Sequence, residues 1–211
     1  MTAGAARAER LVTSGVFSLD GQDFDVDNNV WLVGDDAEVV VVDAAHDATA
    51  ILAAVGGRAV RAVVCTHGHN DHVNAAGEVA DATGAPVLLH PDDRMLWDIV
   101  HPDRTPGPLA DGQELTVAGL TLHVLHTPGH SPGAVSLHVP ELGVVLTGDT
   151  LFRGGPGATG RSFSSFDLII SSIRTRLLDL PPATRVLTGH GDGTTIGEEA
   201  GGLADWLARG H

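Results

Sequence analysis

The sequence predicts a layered α/β fold, two sheets with helices outside them, and three observations lead there. Short apolar strand-like runs alternate with helical stretches in the first half, hairpin-like strands follow, and helices return at the end. The 211 residues are 43% hydrophobic and 18% charged, a globular composition. A single domain of this length buries roughly 70% of the surface that its unfolded chain exposes, so it needs no covalent staple.

Residues 1–10, rich in Ala and Arg, are expected to be a flexible tail before a single domain over 11–211. Strands are predicted over Val30–Val33 and over Glu38–Val42, the latter ending at Asp43. Ala48–Val55 reads as a helix stopped by Gly56-Gly57. Ala62–Cys65 is a buried-strand run broken at Thr66-His67-Gly68. A helix over Asn74–Thr83 ends at Gly84, a strand covers Val87–Leu89, and a helix over Asp92–Val100 precedes His101-Pro102. Strands follow at Leu120–Leu125, Ala134–Val139 and Gly143–Leu146, then a Gly-rich loop over Leu151–Phe163. Asp167–Leu178 has helical apolar spacing and stops at Pro181-Pro182. Arg185–Leu187 is the last strand, and Ile196–Ala208 a closing helix.

Composition removes several function classes. The formal net charge of −15 repels nucleic acid and anionic membrane surfaces. No apolar run approaches the roughly 20 residues of a membrane span. The N-terminus has no apolar signal core, and a single Cys cannot build a disulfide framework; both point to the cytoplasm. All 12 basic residues are Arg, which removes P-loop, Schiff-base and Ser–Lys chemistry. No Tyr is present to act as a phenolic acid. Nothing in the sequence reports the oligomeric state.

The strongest signal is His67-Gly68-His69-Asn70-Asp71-His72, at the end of a buried strand. His67 and His69 can face one side of an extended segment and reach one cation. Asp71 and His72 follow a turn and can face a second. Three further metal-competent residues each follow an apolar strand beside a Gly: His130, Asp149 and His190. Strand ends collect on one edge of a packed sheet, so these residues can converge. Imidazole with carboxylate suits zinc, iron or manganese.

With Asp43 after its Val run, this order and spacing resembles the metallo-β-lactamase fold superfamily, over roughly residues 30 to 190. The resemblance implies a four-layer αββα sandwich and two divalent metal ions, zinc foremost with iron or manganese as alternatives. It implies one metal held by His67, His69 and His130, a second held by Asp71, His72 and His190, and Asp149 as the bridge. Asp43 would orient the ligands by hydrogen bonds from behind them. Gly148-Asp149-Thr150-Leu151-Phe152-Arg153-Gly154 looks most like the glyoxalase II (hydroxyacylglutathione hydrolase) group. Zinc β-lactamases lack a bridging Asp at this position, which disfavours lactam hydrolysis. Only Gly191–His211 follow the last ligand, as in a short form without the helical domain that contacts glutathione. The family's basic residue corresponds to Arg161, with Phe163 nearby, across Pro156-Gly157-Ala158-Thr159, where the chain departs from the family pattern.

The resemblance therefore implies a thioesterase acting on small S-acyl (2-hydroxyacyl) thiol esters. A metal-bound hydroxide would attack the carbonyl, and Asp71 would orient it as well as bind metal. The alternative on the same fold is a mononuclear Fe(II) persulfide dioxygenase using His67, His130 and Asp149. A third reading is a non-catalytic metal-binding module.

Gly129-His130-Ser131-Pro132-Gly133 also fits a G-x-S-x-G nucleophile elbow. That motif needs strand–turn–helix, whereas Ala134–Val139 reads as strand. Cys65 is expected to be a buried small hydrophobe, and Trp31, Trp97 and Trp206 packing residues. The remaining histidines are by default surface or satisfied polar groups, although His46, close behind Asp43, could reach the site.

Overall fold

A computed structural model describes residues 4–210. The first sheet has six strands in chain order: β1 (Arg7–Leu19), β2 (Gln22–Gly34), β3 (Glu38–Val42), β4 (Ala59–Val64), β5 (Val87–Leu89) and β6 (Gly107–Pro108). Pairing is antiparallel from β1 to β3 and parallel from β3 to β6. The second half supplies β7 (Glu114–Val117), β8 (Leu120–His126), β9 (Val135–Val139), β10 (Val144–Gly148), β11 (Leu151–Phe152), β12 (Gly155–Pro156), β13 (Arg185–Thr188) and β14 (Thr194–Thr195). The second sheet runs β14-β13-β10-β9-β8-β7, and only the central β10–β13 pair is parallel. The remaining two strands, β11 and β12, form a small separate ribbon. The helices are α1 (Ala48–Val55), α2 (Asn70–Val73), α3 (Ala76–Thr83), α4 (Arg94–Val100), α5 (Phe166–Ser172), α6 (Ile196–Ala200) and α7 (Leu203–Arg209).

Three apolar layers join these elements into an αββα sandwich. The Val39–Val42 run shows why, because strand side chains alternate faces. Val39 and Val41 pack with Ile51 of α1, Val79 of α3 and Trp97 of α4. Val40 and Val42 pack with Leu122, Leu137 and Leu146 of the second sheet. Val145 and Val186 face outward onto Ile169, Ile173, Leu177, Ile196 and Trp206. A strand covered on both faces reads as a continuous apolar run, as this one does.

Several expectations are corrected. The expected tail over 1–10 is strand from Arg7 onward, paired along its length with β2; residues 1–3 lie outside the described residues. The β1–β2 hairpin turns at Asp20-Gly21, whose φ values of 52° and 73° suit a tight primed turn. Asp71 and His72 lie on α2, separate from α3. The loop over 151–163 contains the β11–β12 ribbon. The helix after Ser165 finishes as a π-turn over Ile173–Leu177, and the closing helix splits at Gly201-Gly202.

The layer assignment makes a stability prediction. Leu137→Ala, in the layer between the sheets, lowers the unfolding free energy by about 2–5 kcal/mol. Leu207→Ala, on the exposed side of α7 at 56% exposure, changes it by less than about 0.5 kcal/mol. Urea denaturation measures both, and equal effects would contradict the layering.

Candidate metal centre

The ends of β3, β4, β10 and β13, together with the β8–β9 connection, meet on one edge of the sandwich. Asp43 follows β3, His67 and His69 follow β4, and α2 presents Asp71 and His72. His130 lies in the β8–β9 loop, Asp149 follows β10 and His190 follows β13. All seven predicted ligands converge, although His130 and His190 are separated by 60 positions.

They form two trios. Ligating atoms of His67, His69 and His130 lie within 4.8 Å of one another, as do those of Asp71, His72 and His190. Asp149 stands between them: its Oδ2 is 3.6 Å from His130 Nε2 and 3.3 Å from His190 Nε2, and its Oδ1 is 3.4 Å from His72 Nε2. His69 Nδ1 faces His130 Nε2 at 3.0 Å.

The orientation of each ring fits cation binding. His130 Nδ1 donates to Ala158 O at 2.9 Å and His190 Nδ1 to Asp27 O at 2.8 Å, which leaves each Nε2 aimed inward. His72 Nδ1 donates to Asp43 Oδ2 at 3.0 Å with the same consequence. His67 Nε2, Asp71 Oδ1 and Asp149 Oδ1 are buried without a hydrogen-bond partner. Unpartnered buried polar atoms are costly, and a shared cation is the group that satisfies this donor set.

Asp43 takes the expected supporting place. It accepts from Thr66 N at 2.7 Å, from Thr66 Oγ1 at 2.8 Å and from His72 Nδ1. Its φ of 55° is uncommon for a residue with a side chain, and these three bonds hold it there. Gly189 serves close approach: a Cβ on it would lie 2.2 Å from Asp149 Oδ1 and 2.8 Å from His72 Cε1.

Charge is balanced by protons when no cation is bound. Burial with the neighbouring His72, His69 and His130 pushes His67 well below the usual histidine value. Burial and His130 bring His69 to about 3. Burial opposes charge on His190, but Asp149 and Asp71 overcome it and raise the ring to about 10. His72 is likewise raised against burial by Asp71 and Asp149. Burial would raise Asp71, yet His72, His190 and Asn28 bring it down to about 2.

Asn28 is a site residue that the sequence reading missed. Its Nδ2 donates to Asp71 Oδ2 at 3.0 Å, and its Oδ1 accepts from His46 Nε2 at 2.9 Å. Asn74 holds His46 in turn, through His46 Nδ1 at 3.0 Å. His46 thus reaches the site through an amide. The neighbouring Asn29 ties β2 to the His190 loop, donating to Thr188 O at 3.0 Å and Gly191 O at 2.9 Å.

The β1–β2 hairpin leans over the centre. Asn70 latches it, donating to Val16 O and accepting from Ser18 N, both at 2.8 Å. A cavity of about 190 Å³ lies beneath, walled by Phe17, Val26 and Phe152 around the ligands. Arg161 lines an adjoining recess with His69 and His130, and its guanidinium lies 4.7 Å from the Phe24 ring centroid. Phe163 lies outside the lining of both recesses and is 53% exposed.

Two competing motifs fail on geometry. Ser131 is buried, gives its hydroxyl to Asp93 at 2.6 Å, and is followed by β9 rather than a helix, so it is no nucleophile elbow. His90, Asp92 and His126 also cluster. Their two rings stack at 4.2 Å and 9°, so the lone pairs lie in separate parallel planes and do not meet at one point. Cys65 is fully buried, and burial raises its thiol, as expected of an inert residue.

The model of the metallo-beta-lactamase superfamily matches residues 24–190. Hydroxyacylglutathione hydrolase GloC of Haemophilus influenzae is 35% identical over 156 residues, covering 66% of this chain and 73% of that protein. The crystal structure of BLEG-1 B3 metallo-beta-lactamase superposes with a TM-score of 0.76 at 31% identity, over 90% of this chain and 97% of that one. The crystal structure of TTHA1623 in a di-iron-bound form superposes at 0.73 with 35% identity, over 84% and 94%. The chain belongs to the metallo-beta-lactamase superfamily.

A cation entering this centre displaces the protons on His72 and His190. Zinc binding at pH 7.5 is therefore expected to release at least about two protons per chain, from His72 and His190. Calorimetry in buffers of different ionisation enthalpy measures this, and a heat independent of buffer would contradict it. Metal-free protein is stabilised through His190 below its unfolded value near 6.5 and loses that contribution as pH rises through about 10.

Proposed function

We propose that this member of the superfamily is a dinuclear metal-dependent hydrolase, a thioesterase that cleaves small S-acyl (2-hydroxyacyl) thiol esters. The observation that carries the reading is Asp149, a carboxylate set between two trios of metal-competent atoms. In this reading His67, His69 and His130 would hold one cation and Asp71, His72 and His190 the other, with the Asp149 carboxylate available to both. When bound, two zinc ions (or iron or manganese) would supply a water whose pKa is lowered to about 7 and a Lewis acid for the carbonyl.

The chain's own residues do the rest. Asp71, aligned by Asn28 through Oδ2, keeps Oδ1 free of hydrogen bonds, and this carboxylate would orient the attacking water. Phe17, Val26 and Phe152 exclude bulk water and pack the acyl group. Arg161, at the cavity edge, meets an anionic group on the carrier thiol. The thiolate is a good leaving group and needs little help from an acid. The likeness to GloC supports the thioester as substrate. The net charge of −15 opposes nucleic-acid or membrane partners, and the lone buried Cys65 fits a cytoplasmic protein. Among the described residues no helix is long and apolar enough to cross a membrane.

The second reading is a mononuclear Fe(II) persulfide dioxygenase through His67, His130 and Asp149; TTHA1623, a protein of the same fold, is solved in a di-iron-bound form, which supports iron as a metal for this fold but with two ions rather than one. One set of assays separates them: hydrolysis of a 2-hydroxyacyl thioester of glutathione, oxygen uptake with a thiol persulfide, and turnover of a chromogenic β-lactam. Thioester hydrolysis alone is expected. Asp71→Asn and His130→Ala lower its kcat/KM at least about a hundredfold, with the circular dichroism spectrum unchanged. Undiminished turnover in either variant, or oxygen uptake without hydrolysis, overturns the reading.

A further inference from the structure

We infer that Asp93 is a positioning residue whose buried carboxylate fixes the spacing between the His67–His69 turn and the His130 loop, and so sets the affinity for the cation that those three histidines hold. The inference rests on reading the two trios as metal sites. Asp93 ends the 3-10 turn Pro91–Asp93 ahead of α4, is fully buried and belongs to neither trio. Its Oδ2 accepts from Gly68 N at 2.8 Å, the residue between His67 and His69. The same oxygen accepts from Ser131 Oγ at 2.6 Å, and Oδ1 accepts from Gly133 N at 2.6 Å, both in the loop of His130. One carboxylate thereby holds two chain segments more than 60 residues apart, each carrying ligands of the same trio.

The packing around it is built for this contact. A Cβ on Gly133 would lie 2.7 Å from Asp93 N and 2.9 Å from Asp93 Cγ. A Cβ on Gly68 would lie 2.9 Å from Asp93 O and 2.8 Å from Leu96 Cβ. Neither glycine has a positive φ, so close approach, not backbone conformation, requires both. All three partners of the carboxylate are donors, and an ionised carboxylate, which only accepts, matches them. In Asp93→Asn one acceptor becomes an NH₂ group facing a donor. The main-chain bond from Val135 N to Thr66 O, at 2.8 Å, still joins the same two segments in the variant.

Asp71, His72 and His190 receive no bond from Asp93. The effect is therefore confined to one cation, which a general loss of stability would not produce. Zinc affinity is measured by chelator competition in two backgrounds. In His190→Ala, which keeps the first trio, adding Asp93→Asn weakens zinc binding at least about tenfold. In His130→Ala, which keeps the second trio, adding Asp93→Asn changes it by less than twofold. Equal weakening in both backgrounds, or none in the first, overturns the inference. Should Asp93→Asn fail to fold, Ser131→Ala in the same backgrounds removes one bond of three; selective weakening of the first trio supports the inference, and its absence overturns it. If the wild-type chain binds no zinc, it is the metal-centre reading that fails, a result distinct from wild-type binding that Asp93→Asn leaves unchanged.

Discussion

Two carboxylates, Asp71 and Asp149, are held largely out of solvent beside each other's histidine partners, and the rest of the structure depends on compensating their charge. An isolated carboxylate in such a place is very costly, and a paired one is tolerated only with good geometry and further hydrogen bonds. Without a cation, the compensation is protonic: His72 and His190 are pulled upward by the same carboxylates that they neutralise. His67 and His69 are pushed the other way and remain neutral ligands. One cluster thus contains imidazoles already neutral and imidazoles whose protons a cation can replace.

The fold delivers these groups because strand ends are the most rigid points from which to aim a side chain. Valine-rich strands buried on both faces fix β3 and β4, and the residues immediately beyond them carry Asp43, His67 and His69. The second sheet does the same for Asp149 and His190. Cross-links then join the two halves at the mouth: Asn29 from β2 to the His190 loop, and Asp93 between the β4 and β8 ends. The hairpin tip and the loop around Arg161 close over the centre, joined by the Ser162 N bond to Asp20 Oδ2 at 3.2 Å. A rigid ligand frame beneath a roof made of loops divides chemistry from substrate choice.

Much of the centre was legible in the sequence because its signal is local. Four potential ligands crowded into six residues at a strand end have little use except to hold a cation, and His130, Asp149 and His190 repeat the same strand-then-turn context. The four layers were legible because runs such as Val39–Val42 admit only burial on both faces. The N-terminal hairpin carries its own signal, the strict alternation Asp23-Phe24-Asp25-Val26-Asp27 and the turn pair Asp20-Gly21, but its apolar residues stand singly between charges and do not form a run like those of the core strands. Asn28 and Asp93 were invisible for a different reason: their work is to accept or donate single hydrogen bonds across long sequence separations, and no local pattern marks that. Phe163, two residues beyond Arg161, has a φ of 68° and is the more exposed of the two. Gly201-Gly202 ended a helix that apolar spacing alone would have continued.

The most direct measurement is anomalous diffraction from crystals grown with zinc. Two cation peaks per chain are expected, one against His67, His69 and His130 and one against Asp71, His72 and His190, with the Asp149 carboxylate between them. Peaks absent from this pocket, or His130, Asp149 and His190 found remote from the His67–His72 turn, would contradict the account.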